Sequence, residues 1–550
     1  MRRPLAAALL LLLLLPPCSA AGSAASGAEA RAAPQARSPT AAAPSLPSLA
    51  VLQQELAAGR RSAESVVRAC LARIAALERA GPQLHALISI NPDALKMART
   101  LDRERRAHGT LGPLHGIPVL IKDNIDTADR MPTTAGSLAL RENFALEDAP
   151  LVAGLRAAGA IILGKTNLSE WANFRSSHSI SGWSALGGLT RNPHVLDRSA
   201  CGSSAGSAVA VAAGLAPLAV GTETDGSIVC PSAMNGIVGL KPTVGLISQQ
   251  GIIPISHSQD TAGPMATGVR DVAVLLSALV DPAQRCHAAG QSGPGPCPPP
   301  DYAAALDGHA LAGKRIGVLR FKPASHPPQL DIVYERALAR LRSAGAQLIE
   351  VPMPDTSALS EVELKVLLSE FKTDLDRYLA LTPPAVRARS LAQLISFDRD
   401  SAEELAIFGQ DLLEQAQATG GIADPAYAPA LVTASRLARE EGLDRMLAAR
   451  HLDLLVAPTT VPAWRVDSVN GDPSADSSTT LPAVAGYPHL TVPMGEVRGL
   501  PVGLSFIGPA WSEAMLLGCG FAFESAGEPL APVPRFLPTL ETAALARGRP

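Results

Sequence analysis

Three serines fall within five residues of the stretch "ACGSSAGSAVAV", residues 200–211. Read as G-x-S-x-G, residues 202–206 would form a strand-to-helix elbow with Ser204 as nucleophile. A further serine, Ser227, closes the glycine turn of "GTETDGSIVCP", which starts at residue 221. One lysine, Lys122, ends the apolar run of "GIPVLIKDN". A serine hydroxyl is a weak nucleophile and needs a positioned base. A lysine serves as that base only when neutral, so burial or cationic neighbours must lower its pKa. The apolar strand before Lys122 supplies desolvation. The adjacent Asp123 would push the other way if close in space, and the sequence leaves that balance open.

Two motif matches compete with a serine–lysine reading. "GAIILGKT", residues 159–166, fits the phosphate-loop expression G-x-x-x-x-G-K-[ST]. That motif needs a flexible loop whose N–H groups wrap phosphate. Here the four middle residues are Ala-Ile-Ile-Leu, which form the strand and not the loop. The G-x-S-x-G match needs a strand entering the elbow, but "RNPHVLDRSAC" precedes it, which is polar and contains proline. It also needs a later acid and histidine, and His451 and His489 stand in no telling context. His115 and His257 read as structural. The spacing of the seven cysteines matches no metal site.

The surrounding elements alternate between helices and short apolar strands. Helical periodicity runs over 48–80, and a charged helix follows over 92–108. Strands are expected at 84–91, 117–121, 160–163, up to 221, 314–321, 347–351 and within "LDLLVAPTT", "HLTVPMG" and "PVGLSFIG". Such alternation predicts an α/β fold with a mixed central sheet covered by helices on both faces. The late strands read as continuations of the first sheet, so one large domain is expected over 47–535. It would carry a Gly/Pro-rich insert at 276–310, a helical excursion at 357–450 and a C-terminal tail at 536–550.

The chain has 550 residues, 47% apolar and 18% charged, enough to bury a sizeable core. Its net charge is −3 and no long basic run occurs, which gives no support to a nucleic-acid partner. "MRRPLAAALLLLLLLPPCSAA" has the arginines, the short apolar run and the small residues of a secretory signal peptide over 1–21. Residues 22–46, rich in Ala, Ser and Pro, read as a disordered tether. Export to the periplasm or beyond permits disulfides. Cys286 and Cys297 bracket a loop-like stretch and are the expected pair. Cys70, Cys230 and Cys519 lie in apolar contexts and read as small core residues.

"GPLHGIPVLIKDN", "GKTN", "SACGSSAGSAVAVAAGLAPLAVGTETDGSIVCPSAMNGIVGLKPT" and "SQDTAGPM" occur in that order. Together they resemble the amidase signature family over roughly residues 50–275, with a signature core at about 110–275. The runs "GTETDGSIVCPSAMNG" and "SEWANFRSSHSISGWSALGGLTRNPH" look most like bacterial peptide amidases. The resemblance implies a catalytic set in which Lys122 is the base, Ser203 the bridging serine after a cis Gly202–Ser203 bond, and Ser227 the nucleophile. It implies an oxyanion hole from the backbone N–H groups of Thr224, Asp225, Gly226 and Ser227. The helix starting in "SIVCPSAMNG" would add its N-terminal dipole. Asp225 stands where the family commonly has glycine, and either caps that helix or contacts substrate N–H groups in the pocket. Asn173 is a second substrate-binding candidate. The chain lacks the arginine that many members carry after Ser-Ile. No metal or organic cofactor is implied.

The function expected from the resemblance is an exported serine amidase. It would hydrolyse a primary carboxamide, such as a C-terminal peptide amide, to carboxylate and ammonia. Three alternatives stay open: the glutaminase component of a tRNA-dependent amidotransferase, a family member acting on other small amides or esters, and a silent amide-binding relative. Oligomeric state is not readable.

Overall fold

The expected strands assemble into one twisted sheet. The computed structural model describes residues 46–284, 300–323 and 325–540. Its strands are β1 (Leu87–Ile90), β2 (Pro118–Lys122), β3 (Ile161–Thr166), β4 (Trp183–Ser184), β5 (Gly188–Leu189), β6 (Leu218–Glu223), β7 (Val238–Lys241), β8 (Thr261–Ala266), β9 (Arg315–Val318), β10 (Gln347–Glu350), β11 (Leu454–Pro458), β12 (His489–Val497) and β13 (Leu500–Ile507). Eleven of them form a single sheet in the order β1-β3-β2-β6-β8-β7-β12-β13-β11-β9-β10. β4 and β5 make a separate two-stranded pair. The late strands do continue the first sheet, through β12 on β7. Helices cover both faces, so β2, β6, β8 and β11 are buried along their whole length. That burial is why these strands read as continuous apolar runs instead of alternating ones.

The pairing that matters most is local. β2 runs parallel to both β3 and β6. Their carboxyl ends therefore lie on one edge, which is where sites form in open α/β sheets. That edge carries Lys122 from β2 and Thr222 and Glu223 from β6.

Several boundaries differ from those expected. The periodic stretch at 48–80 is two helices, Leu49–Ala57 and Ala63–Ile74, with a helical turn continuing to Arg79. "AGRRS" separates them, and Ser62 caps the second by accepting from the Ser65 N–H. In "GAIILGKT", Gly164, Lys165 and Thr166 are all inside β3, so no phosphate loop exists there. Lys165 is instead buried and donates to the Ile125 carbonyl at 2.6 Å and to Thr133 Oγ1 at 2.9 Å. The Phe536 and Leu537 N–H groups donate to Pro193 and His194, so ordered backbone continues past residue 535. The leader, nearly all of the tether and the Cys286–Cys297 pair lie outside the described residues.

The helical excursion begins with Ser357–Leu381 and continues through Leu391–Asp400, Asp411–Ala418, Tyr427–Ala438 and Asp444–Ala449. An apolar cluster including Trp171, Phe174, Phe371 and Leu375 seats it on the signature core. A buried arginine locks it. Arg175 donates to Glu170 Oε1 at 2.6 Å, to the Glu404 carbonyl at 2.6 Å and to the Phe408 carbonyl at 3.1 Å. Its guanidinium also lies 4.2 Å from the Phe408 ring centroid. Removing one partner of such a group leaves a buried charge uncompensated. Arg175→Met is expected to cost about 3–5 kcal/mol, read as a lowered denaturation midpoint.

Candidate active site

Lys122 is the last residue of β2 and is entirely out of water. Its Nζ lies 2.7 Å from Ser203 Oγ, 2.8 Å from Thr222 Oγ1 and 3.2 Å from the Thr222 carbonyl oxygen. Those three oxygens define the proton arrangement. A neutral amine has two N–H bonds and one lone pair. With both N–H bonds on Thr222, the lone pair faces the Ser203 hydroxyl. Burial pushes the Lys122 amine down to about 7, and the charges of Asp260 and Glu223 pull it partly back. Asp123, the neighbour that left the balance open, turns elsewhere. It accepts from the Thr134 N–H and hydroxyl and lies 3.7 Å from the Lys165 ammonium.

Ser203 follows a cis Gly202–Ser203 peptide bond, as the resemblance implies. Gly202 has no room for a side chain, because an added Cβ would sit 2.1 Å from Ser169 Oγ. Ser169 in turn donates its N–H to the Ser203 carbonyl. Ser204, the nucleophile of the rejected elbow reading, is fully buried and has no histidine partner among the described residues. Its Oγ donates to the Thr222 carbonyl at 3.0 Å and accepts from the Thr222 N–H at 3.2 Å. Ser204 therefore holds the residue that holds the lysine. Asn124 Nδ2 adds a donor to Thr222 Oγ1 at 3.0 Å.

Ser227 sits on the next turn, nearly buried. The Ser204 N–H donates to its carbonyl at 3.0 Å, which ties the two serine segments together. The Ser227 hydroxyl has no hydrogen bond among the described residues, so Lys122 and Ser203 are joined directly and Ser227 stands beside them unengaged. Catalytic hydrogen bonds often tighten only with substrate present.

The oxyanion expectation divides. The N–H groups of residues 224–227 have no acceptor among the described residues, and Gly226 takes the positive φ of 81° that turns them. The helix Val229–Asn235 does not add its N-terminus, however. Glu223 Oε2 accepts the Ile228 and Val229 N–H groups at 2.7 and 3.0 Å. That carboxylate caps the helix, which corrects the dipole expectation. It also removes one of the two roles offered for Asp225, which is not the cap. Asp225 Oδ2 accepts from Thr480 Oγ1 at 2.8 Å, while Oδ1 is buried without a hydrogen-bond partner among the described residues. The second substrate-binding candidate, Asn173, lies in a left-handed stretch from 171 to 173 and accepts from Ser179 Oγ at 3.0 Å. Thr224 Oγ1 is fixed by Asp260 at 2.6 Å.

The cysteines differ most from expectation. Cys201 and Cys230 form a disulfide, so Cys230 is not a plain core thiol. The bridge joins the residue before Gly202-Ser203 to the helix after Ser227. Cys70 and Cys519 are buried free thiols, as read.

Comparison with known proteins is decisive at this point. The family model described as Amidase matches residues 65–517. The chain belongs to that family. Like its relatives it is an amide-hydrolysing enzyme. The amidase is 39% identical to a probable amidase of Arabidopsis thaliana over 467 residues, 82% of this chain and 85% of the relative. It is 36% identical to a glutamyl-tRNA(Gln) amidotransferase component of Symbiobacterium thermophilum, over 87% of this chain and 96% of the relative. Among solved structures it superposes on the native peptide amidase of Stenotrophomonas maltophilia with a TM-score of 0.83, at 53% identity, covering 89% of this chain and 98% of that one. An amidase family protein of Bacillus anthracis matches with a TM-score of 0.79 at 35% identity, covering 89% and 92%.

Sequence reasoning overlooked Thr222, Glu223 and the Cys201–Cys230 pair. The signal for the last was present, since each cysteine lies within three residues of a catalytic-candidate serine. Replacing both by serine is expected to lower stability by about 2–4 kcal/mol. The same variant is expected to lose activity at temperatures where the bridged protein is still folded, checked by melting curves and ammonia release run in parallel.

Proposed function

We propose that this amidase is an exported peptide amidase that converts a C-terminal carboxamide to a carboxylate and ammonia. The observation that carries the reading is the buried Lys122 amine, with Thr222 on two sides and the Ser203 hydroxyl at 2.7 Å on the third. Neutral Lys122 takes the Ser203 proton as Ser203 takes that of Ser227, whose hydroxyl rotates onto Ser203. The Ser227 oxygen then attacks the amide carbonyl. The N–H groups of residues 224–227 receive the oxyanion. As the C–N bond breaks, the proton returns through Ser203 to the departing nitrogen, giving ammonia and an acyl-enzyme ester. Water activated by the same relay adds to the ester, and Ser227 leaves with its proton restored.

The peptide-amide substrate class is supported by the Stenotrophomonas likeness and by the matching runs of sequence around Ser227. Export is supported by the leader-like N-terminus and by the Cys201–Cys230 disulfide, since disulfides persist in oxidising compartments. No helix among the described residues is long and apolar enough to cross a membrane. The leader and the disulfide also weigh against the tRNA-dependent glutaminase role of the amidotransferase relatives.

Ammonia release from a capped dipeptide amide, a simple aliphatic amide and free glutamine tests the assignment. The dipeptide amide is expected to be the best substrate. Ser227→Ala should lose at least about 10⁴-fold in kcat, as triad removals do elsewhere, whereas Ser204→Ala should retain measurable turnover. Preference for glutamine, or turnover that survives Ser227→Ala, would contradict the proposal. The pH profile follows from the lysine. The active form is the neutral amine, so kcat/KM should rise with pH through a midpoint near 7. Lys122→Met should abolish turnover without loss of stability, because it removes a buried ionisable group whose role is functional.

A further inference from the structure

The turn of residues 224–227 is held at both ends. Its exit is held by backbone: the Gly226 carbonyl accepts the Cys230 N–H at 2.8 Å, and the Ser227 carbonyl accepts the Ser204 N–H at 3.0 Å. Its entry is held by a side chain. Thr224 Oγ1 donates to Asp260 Oδ1 at 2.6 Å. The sheet delivers that carboxylate. β6 and β8 are antiparallel, with Glu223 paired to Thr261. Asp260, the residue before β8, therefore stands across from Thr224, the residue after β6.

The rest of Asp260 is tied into its own loop. Oδ2 accepts the Ile255 and Ser256 N–H groups at 2.8 and 2.9 Å. The Asp260 N–H donates to the Ser256 carbonyl at 2.8 Å, and the Asp260 carbonyl accepts from Gln249 Nε2 at 2.6 Å. The neighbouring Gln259 brings its Nε2 to 3.4 Å from the Thr224 carbonyl. Consecutive residues of one loop thus grip both polar ends of Thr224. The loop is anchored in turn by Glu370 of the helix Ser357–Leu381, whose Oε2 accepts from Ser256 Oγ, Ser258 Oγ and the Ser258 N–H. Burial pushes the Asp260 carboxyl up to about 6, and its three donors limit the rise, so it remains an ionised acceptor at neutral pH.

We propose that Asp260 is a positioning residue of the amidase reaction, which acts through the Thr224 hydroxyl to hold the N–H groups of residues 224–227 where the oxyanion forms. The inference rests on the oxyanion reading of that turn. Such donors stabilise a transition state only when they are aimed before the reaction begins. A misplacement of about 1 Å costs about 10²-fold in rate. Because Asp260 acts through Thr224, its effect falls on the transition state and not on the affinity for the bound amide.

Steady-state kinetics on the capped dipeptide amide test this with Asp260→Asn, Thr224→Val, the two combined, and Thr224→Ser. Asparagine has one acceptor oxygen where aspartate has two, so it cannot serve both Thr224 and the loop N–H groups. Asp260→Asn and Thr224→Val are each expected to lower kcat by about 10²-fold with KM within about threefold of wild type. The combined variant should be no worse than the worse single one, since both remove the same hydrogen bond. Thr224→Ser keeps the hydroxyl and should stay within about threefold of wild type. A peptide aldehyde supplies the readout that a merely structural role would not move. The Ser227 hydroxyl adds across its carbonyl, and the hemiacetal oxygen so formed takes the oxyanion position. Folded Asp260→Asn protein should bind the aldehyde about 10²-fold more weakly than wild type. Unchanged kcat, a loss confined to KM, additive losses or unaltered aldehyde affinity would overturn the proposal. Should Asp260→Asn fail to fold, Thr224→Val gives the same readouts. Turnover that survives Ser227→Ala would remove the oxyanion reading and this inference with it. Ser227-dependent turnover untouched by Asp260→Asn would remove this inference alone.

Discussion

A primary amine held entirely out of water is the constraint around which the rest of this structure is arranged. Lys122 cannot be hydrated, so each of its hydrogen-bonding directions must end on protein. Two neighbouring segments supply those ends to a lysine carried by a third. β2 delivers the lysine, β6 delivers both oxygens of Thr222, and the cis Gly202–Ser203 turn delivers the hydroxyl. Burial makes the neutral amine accessible near neutral pH, and the oxygens give its lone pair a direction. One feature of the fold thus sets both the basicity and the aim of the base.

The remaining polar groups of the site act mostly on each other's positions. Ser204 clamps Thr222 from both sides of its backbone. Glu223 consumes the N–H groups of the helix after Ser227, while those of residues 224–227, the donors proposed for the oxyanion, have no acceptor among the described residues. Asp260 fixes Thr224 and also binds the Ile255 and Ser256 N–H groups. The disulfide closes the frame between the two serine segments. The helical excursion is part of this frame and not only a cover, because Gln259 links Glu363 of its first helix to the Thr224 carbonyl. Buried networks of this kind specify one arrangement when fully satisfied. Here Asn124 Oδ1, Glu223 Oε1 and Asp225 Oδ1 are among the buried atoms left without a partner in the described residues, and the N–H groups of residues 224–227 are the donors that the proposed mechanism gives to the oxyanion.

What the sequence could say followed from local pattern. Buried strands announced themselves as apolar runs, and the structure puts Lys122 at the end of one of them, on the sheet edge. The cis bond and the adjacency of Lys122 and Ser203 came from ordered motifs, which no periodicity could have provided. Through-space relations were harder. Cys230 reads as a core residue because its neighbours are apolar, yet its partner is 29 residues away across a turn. Glu223 carries no local signal and Ser204 only fits the elbow expression, because the groups that occupy them, the Ile228 and Val229 N–H groups and the Thr222 backbone, are brought to them by the folded chain. Asp123 was ambiguous for the same reason, because only the folded chain shows Lys165 waiting for it.

The central claim is that Lys122 is a neutral base in the folded enzyme at working pH. Its side-chain nitrogen and terminal carbon can be followed by NMR on lysine-labelled protein, with Lys122→Met used to assign the signal. The account predicts a titration midpoint near 7, with the neutral amine dominant above it. A Lys122 signal that stays that of an ammonium up to about pH 9 or beyond, in a folded and active protein, would contradict it.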